Sequence, residues 1–173
     1  METAGHRNLL THALSNLGRI AAREGRLEDS RRLLHEAREL AEEISAGGLL
    51  VELEARLAER AVLAGETDEA LAVADAALAA IEQSGGGSLH HAFVHRVRGY
   101  ALMQRGELDA AGEALRESLE LARSSDETYE LALTLEAIAR LAELRGEDGA
   151  AEAKEAKTLL ATLGVVSTPE IPT

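Results

Sequence analysis

Gly25-Arg26-Leu27-Glu28-Asp29-Ser30 returns in the same form as Gly65-Glu66-Thr67-Asp68-Glu69-Ala70, Gly106-Glu107-Leu108-Asp109-Ala110-Ala111 and Gly146-Glu147-Asp148-Gly149-Ala150-Ala151. The four leading glycines stand 40, 41 and 40 residues apart, which marks a fourfold internal repeat. Each glycine follows a helical stretch, where a left-handed residue closes a helix without a Cβ clash. Acidic residues follow within four positions, where they favour the positive end of the next helix. The fifth residue after the glycine is small in every copy (Ser30, Ala70, Ala111, Ala151), so two backbones can approach there. Seven residues before each turn glycine stand Gly18, Ala58, Gly99 and Ala139. Glycine inside a helix costs about 1 kcal/mol relative to alanine. Its recurrence at equivalent places predicts that a neighbouring helix packs on the bare backbone at Gly18 and Gly99.

Outward from these turns the spacing predicts eight helices, at about 4–24, 27–45, 49–64, 67–83, 89–105, 108–123, 127–145 and 148–163. Leu10, Ala13, Leu14, Leu17 and Ala21 form one apolar stripe, and Leu131, Leu135, Ile138 and Ala142 another. Ser45-Ala46-Gly47-Gly48 and Ser84-Gly85-Gly86-Gly87-Ser88 read as interhelical breakers. Ser124-Ser125-Asp126-Glu127 has the serine-to-glutamate spacing of a capping box. The expectation is a single all-α domain over 1–163, with units at 4–45, 49–83, 89–123 and 127–163. Residues 164–173, with Gly164, Pro169 and Pro172, read as an extended, mobile tail. Neither end carries an obvious polar capping helix, so both ends of a stacked array are expected to expose apolar surface and to offer a route to homo-oligomers.

Composition agrees. Of 173 residues, 33 are alanine and 29 leucine, while Phe, Tyr and Trp make up 2%, which favours helix over strand. The absence of cysteine excludes disulfides, thiolate metal sites and a cysteine nucleophile. The net charge is −13, with residues 1–40 near +1 (seven basic, six acidic) and the remainder at −14 (eleven basic, twenty-five acidic). Such a surface repels a phosphate backbone and an anionic membrane, so neither nucleic acid nor membrane is the expected partner. Met1-Glu2-Thr3-Ala4-Gly5-His6-Arg7 lacks the basic start and apolar run of a secretory signal, and a cytoplasmic location is expected.

Chemical motifs are weak. His91 and His95 share a helical face at a spacing compatible with metal, beside His90, but no carboxylate lies in the adjacent turn. His35-Glu36-x-x-Glu39 lacks the second histidine of a zinc-protease helix. Gly85-Gly86-Gly87 follows no strand and matches no phosphate-binding loop. Glu113, Glu117 and Glu120 read as a solvated stripe, and no serine stands in a nucleophile elbow. No catalytic residue, cofactor or metal ligand is therefore assigned, and the chain reads as a non-enzyme.

Leu14-x2-Leu17-Gly18-x2-Ala21 with Ser30-x3-Leu34, and His95-x2-Arg98-Gly99-x2-Leu102 with Ala111-x3-Leu115, resemble the tetratricopeptide repeat. Its large aromatics are replaced here by Leu, Ala or His, its closing proline is missing, and its usual period of about 34 is lengthened. The longer unit, with phrases such as Leu40-Ala41-Glu42 and Leu121-Ala122-Arg123, is similar to an extended variant found in bacterial signalling proteins. From Arg98-Gly99-Tyr100-Ala101-Leu102 to Leu163-Gly164-Val165-Val166 and Pro169 the chain resembles the C-terminal array of large bacterial regulators, cyclase-like or ATPase-linked.

The resemblance implies a right-handed α-solenoid whose first helices line a concave groove. The implied groove residues are His12, Ser15, Asn16, Arg19 and Arg23, then Glu52, Arg56 and Glu59, then Phe93, Arg96, Tyr100 and Gln104, then Glu136, Arg140 and Glu143. Arg, Tyr and Phe are the types that anchor partners. Arg19, Arg23, Arg56, Phe93, Arg96, Tyr100 and Arg140 are accordingly the candidate partner-binding set, suited to an acidic protein or peptide segment. The competing expectation is that Glu52, Glu59, Glu136 and Glu143 pair with these arginines internally. The family's chaperone-tail clamp is not implied, because Ser15, Arg19, Arg56, Phe93 and Val97 occupy its positions. The implied function is a non-enzymatic binding scaffold in bacterial signalling or transcriptional regulation, with a peptide-sensing domain of variable curvature as the alternative.

Overall fold

The computed structural model describes residues 4–83, 90–125 and 127–172. Among them the regular structure is entirely helical: α1 (Ala4–Arg23), α2 (Leu27–Glu43), α3 (Gly47–Ala64), α4 (Thr67–Gln83), α5 (His91–Gln104), α6 (Leu108–Ser124), α7 (Thr128–Arg145) and α8 (Ala150–Thr162). The turn glycines do what their spacing predicts. Gly25, Gly65, Gly106 and Gly146 have φ of 77°, 71°, 78° and 71°. At the first turn Gly25 N–H donates to Ala22 O at 3.0 Å and Arg26 N–H to Ala21 O at 2.8 Å, and the same pair of bonds closes the other three.

Each helix packs on its neighbours in sequence, and each odd-numbered helix also meets the next odd-numbered one. Two glycines set the closeness within a unit. A Cβ added to Gly18 would lie 2.7 Å from Leu34 Cγ on α2, and one added to Gly99 would lie 2.7 Å from Leu115 Cγ on α6. In the second unit the equivalent pair is Ala58 and Ala74, both fully buried. Glycine opposite leucine and alanine opposite alanine fill the same gap, as dense interior packing requires. Leu14, Leu34, Ala37, Ala41, Leu53 and Leu57 form one core between α1, α2 and α3. A larger core runs from α3 to α7 through Val62, Ile81, Val94, Val97, Leu115 and Leu141.

Four expectations need correction. Gly47 and Gly48 open α3 instead of breaking the chain, because Ser45 takes the left-handed conformation (φ 54°) and Ala46 O accepts from Leu49 and Leu50. The capping box is not formed: Glu127 is the N-cap with no side-chain bond, and Ser124 and Ser125 hydroxyls donate back to Leu121 O at 2.8 and 3.0 Å. The glycine-rich segment 84–88 and Asp126 lie outside the described residues.

The third correction concerns the C-terminal end. The outward side of α8 carries Lys154, Glu155, Lys157 and Thr158, all exposed, while Ala156 and Leu160 are buried. This side of the helix is polar, so the expectation is corrected there in part, while Leu163 at its C-cap and Leu144 at the end of α7 stay exposed. The opposite end does expose apolar surface, with Leu9 at 70%, Leu10 at 42%, Leu17 at 53% and Ile20 at 45%. The fourth concerns the tail. After Gly164 (φ 70°) the chain is extended, but it lies against the array. Thr168 Oγ1 donates to Glu136 Oε1 at 3.4 Å, Ile171 packs on the larger core, and Pro172 O accepts from Gln104 Nε2 at 2.8 Å.

Candidate functional site

Residues four apart on a helix share a face, so Arg19 and Arg23 on α1, Glu52, Arg56 and Glu59 on α3, and Phe93, Arg96 and Tyr100 on α5 form lines that the repeat brings side by side. Arg19, Arg23, Arg56, Phe93 and Arg96 meet around one cavity of about 510 Å³, completed by His90, Leu163 and residues 127–130 at the start of α7. Five of the seven candidate residues are thus brought together. Tyr100 and Arg140 are not in the cavity wall.

Most of the arginines are already satisfied. Arg23 Nη2 donates to Glu59 Oε1 at 2.9 Å and Arg23 Nη1 to the Tyr129 hydroxyl at 3.0 Å, which ties α1 to both α3 and α7. Burial works against the Arg23 charge, but Glu59 and Tyr129 outweigh it and hold its pKa above the ordinary value. Arg56 pairs tightly with Glu52 one turn earlier on α3. Arg96 donates through Nε and Nη2 to the two oxygens of Glu130, at 2.5 and 3.2 Å, and its guanidinium sits 5.2 Å from the Phe93 ring centre. Burial disfavours its charge as well, and Glu130 more than compensates. The expectation that Arg96 and Tyr100 stand exposed fails: both are buried, and burial pushes the Tyr100 phenol up to about 12. Arg140 is exposed and bonds Glu143 at 2.8 Å on its own helix.

Arg19 differs. Among the described residues it makes no ion pair and no hydrogen bond. Its pKa is lowered, first by burial and then by repulsion from Arg56 and Arg23. Four guanidiniums thus line one cavity, together with the carboxylates of Glu127 and Glu130, and Arg19 alone among the four makes no ion pair, although Glu59 lies near enough to favour its charge. An anion entering there relieves like-charge repulsion and gains charge-assisted bonds.

The histidines give no comparable arrangement. His91 and His95 rings are 5.0 Å apart and His90 Nε2 is 3.7 Å from Glu52. No group of three His, Asp or Glu among the described residues is placed to hold a metal ion. The pKa of His95 falls to about 4 through burial, helped by His91 and Arg98.

Two participants escape sequence reasoning. Tyr129 stands outside the repeat register used to pick groove positions, and only its contact with Arg23 reveals it. Arg60 is fully buried on α3, where it pairs with Glu66 and Glu69, both also held by Arg31 of α2. Its equivalents are Ile20, Ala101 and Leu141. A single charged residue in an apolar register position is the signal that marks it.

Protein-family models give no match to this chain, and the curated proteins give none. Among solved structures the chain is similar to the crystal structure of BtubC (BKLC) from P. vanneervenii, at 18% identity and a TM-score of 0.68. The likeness covers 96% of this chain and 69% of that one, and it bears on the fold alone.

Proposed function

We propose that the chain is a non-enzymatic binding scaffold, an α-solenoid of four tetratricopeptide-like units with a right-handed superhelical path. In this reading the odd-numbered helices form the inner face, and the cavity at Arg19, Arg23, Arg56 and Phe93 takes a carboxylate-bearing segment of a protein or peptide. The observation that carries it is Arg19, a guanidinium with no ion pair or hydrogen bond among the described residues, beside the like charges of Arg23 and Arg56 in a cavity of about 510 Å³. The acidic remainder of the surface repels acidic segments elsewhere and confines them to this place. The setting that the repeat type suggests is bacterial signalling or transcriptional regulation in the cytoplasm.

One observation favours a sensing role as the second reading. Arg23 bridges Glu59 and Tyr129, and so links α1 to α7 across the cavity. A ligand carboxylate that competes for Arg23 releases that link and lets the inner face change curvature.

The test is a titration of the full chain with short peptides carrying paired Asp or Glu residues and a free C-terminus, followed by NMR. Amide shifts centred on Arg19, Phe93 and Tyr129 are expected. Arg19→Glu should weaken binding at least tenfold, in line with the roughly 1.5–3 kcal/mol of a hydrogen bond to a charged group, with the melting temperature unchanged. Equal affinity in Arg19→Glu, or shifts confined elsewhere, rejects the reading.

A further inference from the structure

The tail presents an occupied site next to the arginine cavity. Gln104, at the end of α5, uses its whole carboxamide. Its Oε1 accepts from Thr67 Oγ1 of α4 at 3.1 Å, and its Nε2 donates to Val62 O of α3 at 2.8 Å. These two bonds fix the amide plane and aim the remaining N–H outward, where it meets Pro172 O at 2.8 Å. One residue earlier lies the aliphatic contact, Ile171 half-buried against the larger core that runs from α3 to α7. One helix over, Glu136 of α7 accepts from Thr168. Pro169 and Pro172 restrict the segment to extended backbone, so little conformational freedom is lost on docking. Carbonyl capture, an aliphatic seat and a hydroxyl acceptor, spread over α7 and α5, are the parts of a peptide-recognition surface.

We propose that the α5–α7 face is a second binding surface, distinct from the arginine cavity, which recognises an extended, proline-flanked aliphatic segment and is held shut by the chain's own residues 165–172. The tail is a tethered ligand. It leaves α8 directly at Gly164, so its local concentration at the face is in the millimolar range expected of a short tether. A free segment of the same kind therefore competes poorly until the tail lifts. The chain's regulated state is then tail-out, with Gln104 and the Ile171 seat open to a proline-flanked aliphatic segment of a partner protein. This proposal does not depend on the carboxylate reading.

The experiment uses the full chain and, as probe, a fluorescent peptide of residues 164–173. Ile171→Asp should expel the tail and raise affinity for the probe at least tenfold over the unaltered chain. Adding Gln104→Ala to Ile171→Asp should remove that gain, whereas adding Arg19→Glu should not. Probe binding that is the same with and without Ile171→Asp, or absent from Ile171→Asp, overturns the proposal. A second measurement avoids dependence on that variant. The chain lacks cysteine, so Glu170→Cys carries a single nitroxide. Broadening of the Gln104 side-chain amide resonances is expected, and unbroadened resonances overturn the proposal as well.

Discussion

Helices α1 and α3 carry nearly the same apolar letters in the same register, yet meet different surroundings. Leu9, Leu10 and Leu17 correspond to Leu49, Leu50 and Leu57. Leu17 is 53% exposed and Leu57 4%. The difference lies in the neighbour and not in the helix. α3 rests on α2, whereas no element of the described chain precedes α1. At the far end α8 takes the other course and turns Lys154, Glu155, Lys157 and Thr158 outward. The same apolar letters are thus buried in α3 and open in α1, while α8 turns a polar side outward.

The sharpest way to break this comparison is to truncate the paired leucines. Leu57→Ala should cost about 3 kcal/mol, as buried leucines do, and Leu17→Ala less than about 1 kcal/mol. Urea unfolding of both variants decides it, and equal losses would mean that α1 is covered in solution.

The glycine–leucine contacts sharpen the same comparison, because they lie inside a unit. Gly18→Leu and Gly99→Leu should each cost about 2 kcal/mol through overpacking, although one sits in the end unit and the other in an inner one. Combining Gly18→Ala with Leu34→Ala copies the Ala58–Ala74 pair and should be milder than Gly18→Leu. A Gly18→Leu chain as stable as the original would show that the end unit is loosely packed.

The smallest effect is one of pH. His95 occupies the register of Leu14, an apolar position in the first unit. Its folded pKa of about 4 lies below the ordinary 6.5, because burial and the neighbouring His91 and Arg98 disfavour the cation. Between these values the unfolded chain binds the extra proton, so stability rises with pH through this window and falls as pH drops from 6.5 towards 4. His95→Gln should flatten that slope in thermal melts at pH 7, 6 and 5. An unchanged slope would assign the acid sensitivity to other groups.

The helical course was legible because turn chemistry repeats: a glycine at φ near 75° has few substitutes, and four at even spacing outweigh any local ambiguity. Gly18 and Gly99 were legible for a related reason, since an interior glycine is costly unless something packs on it. The start of α3 was not, because Ser45 adopts the left-handed turn that composition assigns to Gly47 or Gly48. The arginine positions could be placed on one face, but not their pairing. Spacing says that Arg96 and Glu130 lie on successive odd-numbered helices, not that one guanidinium is buried on its carboxylate while Arg19 makes no ion pair. The tail was the least legible. Nothing in Thr168-Pro169-Glu170-Ile171-Pro172 announces that Gln104, 68 residues earlier, is aimed at Pro172.

The bridge from Arg23 to Tyr129 has a mechanical consequence. Between helices the load path otherwise runs to the neighbour in sequence or to the next odd-numbered helix, so the stack can flex at every step. The bond from Arg23 to Tyr129, with α1 at one end and α7 at the other, reaches past the helices between them like a clasp. It resists the separation of α1 from α7 in the way a hoop stiffens a barrel. Under tension applied between the two ends it carries force before any helix lengthens. The earliest yield on pulling is then the parting of one guanidinium from one phenol, a small reversible slack that precedes the unravelling of the units.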